Sequence, residues 1–309
     1  MTAEPHLTGT DQGEWLDHCE LEQANLRLAL LWRFWQQRGH LAEGRLRLEE
    51  ALARPAGRGP TPARAKALAG AGGIAWWQED IAAARRFYDE ALAVERRLGD
   101  PAGIDDALYN QAFVVAAEGD FEGAFGLYEE SLELFRRAGD EAGVARADWM
   151  LALRDLVGGR WDTPVAKAEE AVTSWRRTGD RFRLGDGLVW LAVVEARAGR
   201  PASARSALEE ARELAAEADS PMGMLSVLIG LSYVARWEGR HQDAVRLAGA
   251  DALREQVGGR APLDFLASFL GDPEAEARAQ LADDVAQRAW KEGHRSGVDA
   301  ALASSAESR

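Results

Sequence analysis

The segment Arg96-Arg97-Leu98-Gly99-Asp100-Pro101 decides the fold, together with Glu118-Gly119-Asp120-Phe121 twenty residues on and Arg137-Ala138-Gly139-Asp140 twenty further. Each piece ends a stretch rich in Ala, Leu, Glu and Arg with a glycine, then opens the next with an aspartate. Glycine accepts the left-handed conformation that closes an α-helix. Aspartate caps the N-terminus of the helix that follows. Extended outward, the spacing holds at Gly39, Gly59, Gly159, Gly179, Gly199, Gly239 and Gly259, with Glu79 and Asp219 in the two exceptional slots. Between the slots apolar residues recur at helical spacing, as in Phe87, Tyr88, Ala91, Leu92, Val94 and Leu98, with Arg85, Arg86, Arg96 and Arg97 among them. Pro101, Pro201 and Pro221 fall in first turns, where no N–H is needed.

Two such segments, helix A and helix B, make a 40-residue antiparallel unit, and a fixed period of this length marks a repeat array. A second register supports it. Gly44, Ala84, Ala124, Pro164, Ala204 and Ala244 recur early in helix B, while Gly72, Ala112, Ala152, Ala192 and Ser232 recur within helix A. Small residues there let the two helices of a unit approach closely. The expected class is all-α, with residues 1–12 a disordered leader, 13–260 a six-unit helical array, and 261–309 capping helices and a tail. Within this plan one long helix covers about 14–38. A helix opening at Asp272-Pro273-Glu274 runs through Trp290, and a short last one lies between Gly293 and Leu302.

Composition narrows the functional classes. The 309 residues hold 37 Lys+Arg against 51 Asp+Glu, a formal charge of −14, which argues against direct nucleic-acid binding. The single cysteine, Cys19, excludes an intrachain disulfide and a cysteine-based zinc site, and it fits a reducing cytoplasm. No apolar run approaches the ~20 residues of a membrane helix, so no membrane partner is expected. Gly 31 and Trp 11 are the excesses to explain; the glycines are largely helix punctuation.

The small–aromatic–small pattern resembles the tetratricopeptide repeat. The resemblance covers about residues 14–260 and implies a right-handed superhelical solenoid whose concave groove is lined by A helices. The runs Trp15-Leu16-Asp17, Asn25-Leu26-Arg27, Leu31-Trp32-Arg33-Phe34-Trp35, Arg38-Gly39-His40-Leu41-Ala42-Glu43-Gly44-Arg45 and Ala289-Trp290-Lys291-Glu292-Gly293 carry a narrower likeness. They are similar to the C-terminal repeat region of actinobacterial ATPase-type transcriptional regulators of the LuxR and antibiotic-regulator groups. That likeness implies a cytoplasmic region that receives a small-molecule or protein signal. The sequence has no G-x-x-x-x-G-K-[ST] phosphate loop, so the likeness concerns the repeat region alone.

On that frame the groove face of the A helices carries aromatic and aliphatic residues. Trp76, Trp77, Tyr109, Phe113, Trp149, Leu153, Val189, Tyr233 and Trp237, with Arg146 beside them, are the candidate ligand-binding residues. Leu156, Arg197 and Arg236 lie on the same face or at its margin. Two readings stay open: an apolar pocket for a partner segment or apolar small molecule, or packing between repeats, the commonest use of buried tryptophan.

No catalytic motif stands out, and neither a metal nor a cofactor is called for. His6, His18, His40, His241 and His294 include no pair at i, i+4 spacing. Glu49, Asp89, Glu129, Glu169 and Glu209 repeat with the unit, which points to a solvated face or inter-repeat ion pairs rather than acid–base work. Asp105, Asp106, Asp155 and Asp186 break the period and are the remaining carboxylate candidates. The expected function is a helical-repeat binding or regulatory protein. The alternative is an enzyme or sequestering resistance protein of a bacterial natural-product pathway that uses the same groove.

Overall fold

The computed structural model describes residues 32–54, 59–157, 159–249, 267 and 270–307. The proposed leader, the first helix up to residue 31 and the Gly259 slot lie outside them. Among the described residues every regular element is an α-helix. In chain order they are α1 (residues 32–38), α2 (Leu41–Ala53), α3 (Pro62–Trp77), α4 (Ile81–Leu98), α5 (Pro101–Ala117), α6 (Phe121–Ala138) and α7 (Glu141–Val157). Then come α8 (Asp162–Thr178), α9 (Arg181–Arg197), α10 (Pro201–Glu217), α11 (Pro221–Trp237), α12 (His241–Ala248), α13 (Pro273–Arg278) and α14 (Asp283–Glu307). Odd members up to α11 are the A helices and even members up to α12 the B helices of the 40-residue unit.

The turns form as their residues dictate. Gly39, Gly99, Gly119, Gly139, Gly159, Gly179, Gly199 and Gly239 all take positive φ. At all of these turns except that of Gly99, where Gly99 N–H itself donates to Glu95 O, the residue after the glycine donates back over it, as in Asp120 N–H to Val115 O at 3.1 Å and Asp140 N–H to Phe135 O at 3.0 Å. That is the Schellman closure. Glu79 and Asp219 adopt the same conformation without being glycine, at φ 61° and 47°. Gly59 does not: the α2–α3 turn is longer, and Thr61 caps α3 by accepting from Arg64 N–H. The carboxylates of Asp80, Asp100, Asp120, Asp140 and Asp180 each accept an N–H of the next helix.

The chain divides into two compact units. The first comprises residues 32–36, 40–54 and 59–134 among those described. There Gly72 faces the ring of Tyr88, which a Cβ would meet at 2.6 Å, and Gly44 lies against Trp35 and Ile74. Ser131 Oγ–H donates to Asp105 O at 3.1 Å, pinning α6 to α5. Arg85 pairs with Glu118 at 2.6 Å and Arg96 with Glu130 at 3.5 Å, so part of the periodic charge is inter-helix pairing.

The second unit comprises residues 37–39 and 135–307 among those described. Trp175 fills the space above Gly187, where a Cβ would lie 2.2 Å from the ring, and Leu208 fills the space above Gly230. Ser232 Oγ–H donates to Ala244 O at 3.0 Å. α14 packs on α12 and α13 packs on both α11 and α12. The terminal segment departs from the expected layout. The chain leaves helix after Arg278, and α14 then runs unbroken through Gly293 to Glu307. The reason is contact: Gly293 sits against the backbone of Arg246, 1.9 Å from where a Cβ would stand. This glycine serves close helix approach, not helix termination.

Candidate functional site

The sequence candidates separate by unit and by burial. In the first unit Tyr109 and Trp77 are both buried, while Trp76 and Phe113 are half-buried. Trp76, Phe113, Tyr109 and Tyr128 form an edge-to-face chain with ring centroids 5.2–6.0 Å apart. In the second unit Trp149, Leu153 and Val189 are buried, and Trp149 meets Trp175 and Trp190 edge-on at 5.9 and 5.6 Å. Arg146 is buried with its guanidinium carbon 5.0 Å from the Phe135 ring centroid. Tyr233 is fully buried; its ring lies by Trp237, and its hydroxyl donates to Gly271 O at 2.9 Å. These buried aromatics join consecutive helices, which accounts for much of the tryptophan excess. Of the ten candidates, Trp76, Phe113 and Trp237 keep partly open rings.

Trp237 opens onto a cavity of about 410 Å³ within the second unit. Its walls come from the C-terminal ends of three successive A helices. Leu156 and Gly159 come from the end of α7 and the turn after it, and Trp161 immediately precedes α8. Arg197 closes α9, Arg236 and Trp237 close α11, and Leu270 completes the lining. The placement of the arginines has a local cause: carbonyls left free at a helix C-terminus favour a cation in the last turn.

The two arginines differ. Arg197 lies over Trp161, its guanidinium carbon 4.3 Å from the ring centroid, an arrangement worth about 0.5–2 kcal/mol. Among the described residues no carboxylate pairs with it. The Arg236 side chain is only 17% exposed, and Glu276 meets its Nη2. Its Nη1 is buried and has no hydrogen-bond partner among the described residues. Burial holds the Arg236 guanidinium below its ordinary pKa; Tyr233 opposes that shift and the like charge of Arg197 adds to it. The cavity therefore has a mixed lining, polar and apolar in about equal parts, with a surplus of positive charge, inside a chain whose formal charge is −14.

The repeats are tetratricopeptide-like. Residues 63–137, spanning α3 to α6, match the tetratricopeptide repeat family model. Among solved structures, a Rap protein complexed with Competence and Sporulation Factor superposes at TM-score 0.57, with 12% identity over 86% of this chain and 75% of that one. The apo form of RapI superposes at 0.51, with 15% identity over 83% of this chain and 98% of that one. A signal-transduction ATPase with a tetratricopeptide repeat sensor from Pyrococcus horikoshii reaches 0.46, with 15% identity over 86% of this chain and 38% of that one. A search of curated protein sequences finds no match.

Other candidates resolve into structure. Asp155 is held below the usual carboxylate range by Arg160, whose Nε donates to it at 3.1 Å. Asp105 is buried, and its carboxylate accepts from Asp106 N–H. Among the described residues no group of three or more His, Cys, Asp or Glu could hold a metal ion, and no helix is long and apolar enough to cross a membrane.

Sequence reasoning named Trp237, Arg197, Arg236 and Leu156 but missed Trp161 and Leu270. A signal existed for Trp161: it occupies the slot held by Leu41, Ile81 and Phe121 in other repeats, where tryptophan is the outsize member. Nothing in the repeat register marks Leu270, which lies beyond the periodic region.

Proposed function

We propose that the chain is a tetratricopeptide-type binding protein whose second unit takes a small apolar molecule in the cavity at the ends of α7, α9 and α11. The observation that carries this reading is a cavity of about 410 Å³ whose lining sets Leu156, Leu270 and the half-buried Trp237 beside two arginines. That volume lies in the range of drug-sized ligand sites. The residue runs shared with the repeat regions of actinobacterial LuxR and antibiotic-regulator ATPases support a signal-receiving role in transcriptional regulation, in the cytoplasm.

The test is a fluorescence titration with small naphthalene and indole probes, checked by calorimetry. Saturable quenching is expected, lost in Trp237→Ala and unchanged in Trp76→Ala. Failure of every probe to bind at millimolar concentration refutes the reading.

A second reading is favoured by Trp76 and Phe113. This edge-to-face pair on α3 and α5 of the first unit keeps partly open rings, and a partner segment could dock there. The Rap structure complexed with its factor supports such a use of the fold. Loss of partner binding in Trp76→Ala alone would favour it.

A further inference from the structure

We infer that the ligand of this cavity is an organic anion: a single carboxylate, or an equivalent monoanion, on an apolar body. The inference rests on the cavity being a binding site and adds the charge of what it binds. Three observations converge on it.

The first is the charge count of the lining. Arg197 and Arg236 are its only ionisable members among the described residues, and both are permanently cationic. Glu276 answers one of them, leaving one positive charge uncompensated among the described residues. Arg197 is itself exposed, so this charge is open to an incoming anion from solvent.

The second is geometry. Trp161 braces the guanidinium of Arg197 at 4.3 Å from its ring centroid. A planar guanidinium stacked in this way keeps its edge N–H groups available for the two oxygens of a carboxylate. Leu156, Trp237 and Leu270 supply the apolar wall for the remainder of the molecule.

The third is the unfilled donor. Nη1 of Arg236 is buried and without a partner among the described residues, unusual for a charged group's N–H. An anion drawn to Arg197 would also lower the repulsion between the two guanidiniums. The cavity has room for one fused-ring acid, so a small molecule is favoured over a peptide tail.

The experiment compares acid and amide of one skeleton: 1-naphthaleneacetate against 1-naphthaleneacetamide, with octanoate against octanamide as an aliphatic pair. Each is titrated into the full chain by calorimetry and tryptophan fluorescence. The acids are expected to bind at least tenfold more tightly than the amides. Arg197→Gln is expected to reduce that preference to within twofold, while Arg197→Lys retains part of it. Unchanged helicity and melting temperature establish that the variants fold.

Equal binding of acid and amide, or an acid preference that survives Arg197→Gln, overturns the inference and leaves the cavity as a site for neutral apolar molecules. No binding by any of the four overturns the inference and the binding reading together.

Discussion

Glu79 and Asp219 occupy the left-handed region that the repeat otherwise reserves for glycine. A side chain there brings Cβ against the following carbonyl, at about 1 kcal/mol. Glu79→Gly is therefore expected to stabilise the chain by about 0.5–1 kcal/mol, seen as a higher urea midpoint in circular dichroism. Gly119→Ala, at φ 89°, should lower stability by about 1 kcal/mol; equal midpoints for the two variants would refute the account. Glu195 is a second local anomaly. Its slot in the 40-residue register holds Ala75, Val115, Asp155 and Ala235 elsewhere; here the carboxylate is 94% buried with Oε2 unpartnered among the described residues, whereas Asp155 is paired with Arg160. Burial first, and then the Glu169 charge, push its pKa up to about 7, with Arg200 opposing. A carboxyl raised on folding binds its proton more tightly in the native state. Its penalty is absent below the unfolded value of 4.5 and grows until pH 7. Glu195→Gln removes the titration, so its stability relative to the parent should rise by about 1–3 kcal/mol between those limits. A flat difference across that range would sink the assignment.

At the scale of the helix, glycine plays two opposite parts that sequence alone does not separate. Gly72 and Gly187 hold open the space entered by Tyr88 and Trp175, whereas Gly126 and Gly185 have nothing within 4 Å of an added Cβ. Gly72→Ala and Gly187→Ala are expected to cost about 1–3 kcal/mol each through overpacking. Gly126→Ala should instead gain about 0.5–1 kcal/mol through helix propensity. Thermal unfolding of the three variants decides it; the same sign for all would show that propensity, not packing, governs these sites. The paired A and B helices were legible before any coordinates because punctuation and period are local properties. The side chains facing the cavity were only partly legible. Arg197 and Arg236 sit one register position apart, at 197 and at 196 plus one period, so no strict repeat links them.

Across the molecule, helix pairs in such arrays touch mainly their neighbours, so a local fault should stay local. Gly249 and Gly293 bring α12 and α14 into backbone contact, with Cβ positions 2.5 Å from Trp290 O and 1.9 Å from Arg246 O. Gly293→Val is expected to detach α14 and speed amide exchange in α12 at least tenfold, leaving α3 and α4 protected as before. Uniform loss of protection would mean the array unfolds as one cooperative body.

The twenty-residue ladder of glycine and aspartate determined by itself that the chain forms consecutive helix pairs, since helix closure and capping act within a few residues. It did not determine which aromatic rings are filler and which are open, because burial depends on helices that meet from distant parts of the chain. Only the tertiary structure set Trp149 and Tyr233 inside the packing and left Trp237 at a cavity. It alone brought Trp161 under Arg197, 36 positions away. Composition made the chain acidic; folding gathered two of its arginines beside Trp161 and Trp237 at one hollow, and the chemistry of that hollow follows from their meeting there.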